Sequence, residues 1–152
     1  MSQKIEAYLY QPGESELRWM GETSTYFLAT DTLTGGAFAL VDEQAKVNES
    51  VPLHKHDDVE SFYVVDGEIT FYLDDQLGSR VTTGAFVHIP GGTIHGFRIE
   101  SETARYLIFT TPRHGEFYRA ITDPLPEAVI NDTVIEQACQ KYDIEFVGPL
   151  PA

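Results

Sequence analysis

A single cysteine, Cys139, in 152 residues excludes an intrachain disulfide and a thiolate metal cluster. One thiol fits a reducing compartment. Positive charge is scarce: ten Lys and Arg stand against 24 Asp and Glu, a formal charge of -14. That balance speaks against a nucleic-acid backbone or an anionic membrane surface as partner. No apolar run approaches the roughly 18 residues that span a bilayer. The first sixteen residues carry acidic groups early and no continuous apolar stretch, so they do not read as a signal peptide. Internal repeats and low-complexity segments are missing too. These absences predict a soluble, cytoplasmic protein with no nucleic-acid and no membrane partner.

What is present is the composition of a folded chain: 42% hydrophobic residues with charge scattered among them. The length suits one domain, residues 1–152, large enough to bury a core. Short apolar or alternating runs separated by Gly, Pro, Asp and Asn predict strands at 26–30, 37–42, 61–65, 69–73, 85–89, 96–99 and 106–111. Residues 65–68 and 74–78 read as hairpin connections, and Pro90, Gly91 and Gly92 as a turn. Many short strands with regular turns predict an all-β antiparallel sandwich or barrel. The tail, 115–152, reads differently: a short helix at 115–121 and a longer one at 133–142. Thr133 and Glu136 form a capping-box pattern there, with Val134, Ile135, Ala138, Cys139 and Tyr142 as the apolar stripe.

Four metal-ligand candidates fall in two clusters: His54, His56 and Glu60 in HKHDDVE, and His95 after the Pro-Gly-Gly turn. On a strand, positions i and i+2 point to one face, so both early imidazoles aim the same way. Three residues separate His56 from Glu60, enough for a tight turn. Three nitrogens, one carboxylate and no sulfur point to one divalent first-row transition metal. Burying these groups without a metal would leave costly unpaired polar atoms. By alternation, Glu60 shares its face with Phe62 and Val64, and His95 with Phe97 and Ile99; Ile69, Phe71 and Leu73 give the next strand an apolar face. A substrate pocket walled by Phe62, Phe71 and Phe97 follows, apolar with a polar floor.

His54, His56, Glu60 and Gly67 resemble the first motif of the cupin superfamily, and Gly84, Pro90, Gly92 and His95 its second. The likeness covers about residues 35–111. It implies an antiparallel cupin β-barrel (jelly roll) in which those four ligands hold one metal, followed by a short C-terminal helical extension. Ile99 stands where the second motif often has Asn. The wider chain is similar to small, single-domain quercetinase-like cupins, through residues 35–40, 60–67, 95–98 and the capped helix followed by Tyr-Asp-Ile-Glu. Those proteins often place four residues between the second histidine and the glutamate; here there are three. The likeness implies a Mn, Fe, Co or Ni site, a homodimer, and catalytic proton handling by Glu60, whose other role is ligation alone; Zn or Cu are further candidate metals.

The function expected from these residues is metal-dependent dioxygenation of a flavonol-like, phenolic or enolic small molecule. Alternatives are a non-oxidative isomerase, cyclase or hydrolase using the metal as a Lewis acid, and a binding cupin without turnover. Outside the ligand set, His88 reads as a surface group or one lying behind a ligand, with a place in the pocket as its other role. His114 reads as solvated. Asp57 and Asp58 are expected to face water, with orientation of an imidazole as their other role. Cys139 reads as packing. Arg98 and Arg105 read as barrel-surface groups or dimer contacts.

Overall fold

A computed structural model describes residues 4–74 and 77–151. Among these residues are eleven strands: β1 (Glu16–Met20), β2 (Thr23–Ala29), β3 (Ala39–Lys46), β4 (Ser50–Lys55), β5 (Glu60–Asp66), β6 (Glu68–Leu73), β7 (Ser79–Thr82), β8 (Phe86–Ile89), β9 (His95–Ile99), β10 (Thr103–Thr110) and β11 (Glu145–Gly148). Three helices complete the order: α1 (Asp31–Thr34), α2 (Pro112–Ala120) and α3 (Asp132–Lys141). One sheet runs β1-β2-β3-β10-β5-β8 and the other β11-β4-β9-β6-β7. Neighbouring strands in both sheets pair antiparallel. The result is the antiparallel β fold that the turn spacing predicts.

Alternation builds the core. In β5, Glu60, Phe62 and Val64 are buried while Ser61 and Tyr63 face away from the core. Phe62, Phe71, Phe97 and Tyr106 meet between the sheets with ring centroids 5.1 to 6.0 Å apart. Burying such rings is worth about 2 to 3 kcal/mol each by transfer, before entropy is counted.

Several local expectations need correction. Residues 65–68 do not close a hairpin: β5 and β6 belong to different sheets, and the chain crosses between them at Gly67, φ 103°. β6 and β7 do pair, but the 74–78 connection contains residues 75 and 76, outside the described residues. The capping box at Thr133 is replaced by Asn131, whose Oδ1 accepts the Val134 N–H at 2.9 Å. Val134 consequently turns outward and is 38% exposed, leaving Ala138 and Cys139 as the buried part of the stripe. β3 continues past Asp42 because Glu43, though ionisable, is buried on the inward face with Val41 and Ala45.

The tail packs onto the sheets. α2 starts at Pro112, three residues earlier than the apolar pattern suggests, with Thr111 as its cap accepting the His114 N–H at 3.1 Å. Gly115 allows close approach to β3: a Cβ there would lie 2.5 Å from that of Ala39. Phe117, Ala138, Cys139 and Ile144 form a second apolar cluster between α2, α3 and the chain after them.

Candidate metal centre

Strand pairing brings the ligand candidates together. β4 and β9 set His54 directly opposite His95, with rings 4.2 Å apart. His56 lies just past the end of β4, and Glu60 opens β5 in the facing sheet. All four side chains are buried, and one ligand atom from each lies within 4.8 Å of the others.

Each imidazole is fixed by the backbone. His54 Nδ1 donates to the Pro52 carbonyl, His56 Nδ1 to that of Asp58, and His95 Nδ1 to that of Thr93, all at 2.8 Å. A carbonyl only accepts, so each Nδ1 carries the proton and each Nε2 a lone pair. His56 Nε2 lies 3.0 Å and His95 Nε2 3.3 Å from Glu60 Oε1. Lone pairs thus face a carboxylate oxygen, an arrangement that needs a proton or a cation between them. The donor set therefore fits a divalent metal ion, which His54, His56, Glu60 and His95 could hold. Burial and the neighbouring His95 push His54 down to about 4, so its ring is neutral near neutral pH, as a ligand must be. Burial alone would raise Glu60, but the His114 imidazole beside it outweighs this and holds the carboxyl well below its ordinary value.

Two residues that the sequence reading did not place here come from α2. Tyr118 Oη donates to Glu60 Oε2 at 2.5 Å, and His114 Nε2 lies 3.4 Å from the same oxygen. Burial, then the Glu60 charge, raise the Tyr118 phenol well above its ordinary value, so it remains a donor. His114 is buried rather than solvated, its ring centroid 4.2 Å from that of His56 and stacked against Phe117. Its position follows from the early start of α2, and the Thr111–Pro112 pair was the available signal for that start.

The remaining candidates separate cleanly. Asp58 is largely buried rather than solvent-facing: its carboxylate accepts from Thr111 Oγ1 at 2.7 Å, and its carbonyl orients His56. Asp57 and His88 are exposed, and His88 Nδ1 hydrogen-bonds with Ser61 Oγ at 2.8 Å. Arg98 pairs with Glu100 and Arg105 with Asp42 at the barrel surface.

A cavity of about 250 Å³ adjoins the ligand cluster. Phe62 and Phe97 line it, joined by Val51, Phe117, Tyr118, Ile135 and Cys139. Phe71 does not reach it. That ring packs behind Phe62 and Phe97, at 5.1 and 5.5 Å, because both occupy the layer between it and the void. Cys139 lends an apolar surface, and burial pushes its thiol up.

A family model for the cupin domain matches residues 42–110, from β3 through β10. Residues 42–110 are a cupin domain. The chain is 25% identical over 152 residues to quercetin 2,3-dioxygenase of Bacillus subtilis, covering 93% of this chain and 44% of that protein. It thus spans less than half the length of that curated relative. Among solved structures, the polyketide cyclase RemF of Streptomyces resistomycificus superposes with a TM-score of 0.63 at 24% identity, over 70% of this chain and 80% of that one. An RmlC-like cupin from Shewanella frigidimarina gives 0.63 at 17% identity, over 74% and 96%. Both likenesses concern the fold. Residues 42–110 supply the four ligand candidates, whereas His114 and Tyr118 lie beyond residue 110. Among the described residues, no helix is long and apolar enough to cross a membrane.

Proposed function

We propose that this cupin is a metal-dependent dioxygenase acting on a flavonol-like, phenolic or enolic small molecule. The observation that carries the reading is the convergence of three backbone-fixed Nε2 atoms and Glu60 Oε1 beside an aromatic-walled cavity. The quercetin 2,3-dioxygenase likeness supports the same choice of chemistry. His54, His56, Glu60 and His95 would hold one divalent ion, with Mn, Fe, Co or Ni suited to a nitrogen and oxygen donor set. When bound, that ion supplies Lewis acidity that makes a coordinated substrate hydroxyl easier to deprotonate.

The chain's own residues do the rest. Phe62 and Phe97 present aromatic faces and edges that hold a flat ring and exclude water. Glu60 takes the substrate proton on its carboxylate. Tyr118 and His114 hold Oε2 in place, so the carboxylate keeps one orientation toward the ligand cluster. Its depressed pKa keeps it ionised at rest, which suits ligation and leaves it able to accept only from an acidified hydroxyl.

The test is anaerobic loading with each candidate metal, then oxygen uptake against a panel of flavonols and enols with product identification. Uptake matched by a dioxygenated product supports the reading. Turnover that needs the metal but consumes no oxygen would assign isomerisation, cyclisation or hydrolysis instead. Glu60→Gln at matched metal occupancy then isolates the proton step: the reading expects a large loss of kcat with a small change in substrate affinity.

A further inference from the structure

One buried acid in the cavity has no part in the metal cluster. Glu43 sits in the middle of β3, flanked in register by Thr25 of β2 and Tyr106 of β10. All three side chains are buried, and all three line the cavity that also reaches Glu60, His54 and His95. Thr25 Oγ1 donates to Glu43 Oε2 at 2.7 Å. No Lys or Arg is among the described residues that line this cavity, so the carboxyl has hydroxyl neighbours and no cation. An unpaired acid in an apolar interior is costly unless further polar partners arrive. Burial pushes the Glu43 carboxyl up to about 7, against hydrogen bonds from Thr25 and Tyr106 that pull it down.

The register fixes its place relative to the ligands. Glu43 pairs with Tyr106, which pairs onward with Val64, while Glu60 pairs with Thr110. Glu43 therefore lies four residues along the strands from the level of Glu60, about 13 Å at 3.3 Å per residue before the side chains reach inward. Phe62, paired with Ile108, stands midway between the two levels and lines the cavity, as Phe97 does. The cavity thus has a carboxyl toward each end and an aromatic ring between them.

We propose that Glu43, oriented by Thr25, accepts a hydrogen bond from a second hydroxyl of the substrate, remote from the oxygen that faces the metal site. The class of ligand this selects is a flat polyphenol oxygenated at both ends, in preference to a mono-oxygenated ring system of the same width. This rests on the phenolic reading above. Glu43 is a specificity residue, and the reacting atoms lie at the other end.

The test uses metal-loaded protein under anaerobic conditions and two probes: quercetin, hydroxylated on both outer rings, and 3-hydroxyflavone, which lacks those hydroxyls. Dissociation constants are measured for the parent, Glu43→Leu, Glu43→Gln and Thr25→Val. The parent is expected to prefer quercetin by about tenfold or more, the scale of a hydrogen bond to an ionisable acceptor. Glu43→Leu is expected to bring the ratio close to one. Glu43→Gln keeps the volume and an oxygen for Thr25 and is expected to lower the ratio by about threefold. If the leucine variant does not fold, the glutamine and valine variants carry the comparison, each with its melting curve. A preference that persists in every folded variant overturns the role of Glu43 and leaves the phenolic reading standing. A parent that binds both probes equally does the same. A metal-loaded parent that binds neither probe overturns both.

Discussion

The Tyr118 hydroxyl donates to Glu60 Oε2 at 2.5 Å across a separation of 58 residues, tying helix α2 to the start of β5. Glu60 therefore has two distinct sides. Oε1 faces His56 and His95, and Oε2 faces Tyr118 and His114. Removing the donor while keeping the ring isolates the second side. Tyr118→Phe should cost about 1.5 to 3 kcal/mol of stability, the range for a hydrogen bond to a charged group. Urea unfolding of apo protein measures it. A change below about 0.5 kcal/mol would mean that the contact does not hold the helix.

His95→Ala should lower metal occupancy at least tenfold while leaving the strand content intact. Val51, Phe97 and Ile99 continue to pair β9 with its neighbours, and the aromatic core does not depend on the imidazole. Elemental analysis after anaerobic loading, beside far-ultraviolet circular dichroism, checks both halves. Occupancy equal to the parent's would remove His95 from the ligand set.

Glu43 makes stability depend on pH in a defined direction. Its folded pKa, about 7, lies above the ordinary 4.5, so the folded chain holds this proton more tightly than the unfolded chain does. The resulting stabilisation is fully present below pH 4.5 and is lost as pH rises through 7. The shift corresponds to on the order of 3 kcal/mol. Glu43→Gln does not titrate, so relative to the parent it should gain on that order between pH 4.5 and 8. Urea midpoints of apo protein at both pH values give the difference. The same offset at both would show that Glu43 titrates normally.

Gly91 tests the loop that backs His56. A Cβ at this position would stand 2.2 Å from the Asp57 carbonyl oxygen, and the adjacent Gly92 N–H already donates to the His56 carbonyl at 2.8 Å. Gly91→Ala must push the 90–93 turn away from the 56–58 turn. The expected cost is about 1 to 3 kcal/mol, as for other overpacked sites, together with weaker metal retention. Full retention during dialysis against a chelator would show that the two turns move independently.

The strands that carry strict alternation were legible in the sequence, and so were the ligand candidates, because i and i+2 spacing and a Pro-Gly-Gly turn are local signals. β4 resisted because Pro52 interrupts its pattern, and its pairing with β9 shifts register between Val51 and His54. β7 and β11 are short edge strands with little burial, so their residues show no apolar period. Glu43 hid the second half of β3, since a buried acid looks like a strand end until Thr25 is found beside it. His114 and Tyr118 were missed for a different reason. Their role depends on where α2 lands, and a helix seated by packing on another element leaves no spacing rule in its own residues. The hairpin reading at 65–68 failed because a turn signal marks a reversal and does not tell which sheet receives the next strand.

The three Nδ1–H bonds to the carbonyls of Pro52, Asp58 and Thr93 also bear on how this centre tolerates mutational drift. Many metal sites aim their imidazoles with dedicated carboxylates, and losing one of those side chains misdirects the ring. Here the aiming partner is peptide backbone, which every residue brings with it. Position 93 can therefore change identity without disturbing the His95 ring, provided the turn keeps its path. Selection on ring orientation is transferred from neighbouring side chains to chain geometry, and so to the glycines and prolines that set it. A lineage could thus rewrite much of the surface around the four ligand candidates while the orientation of their rings stayed put.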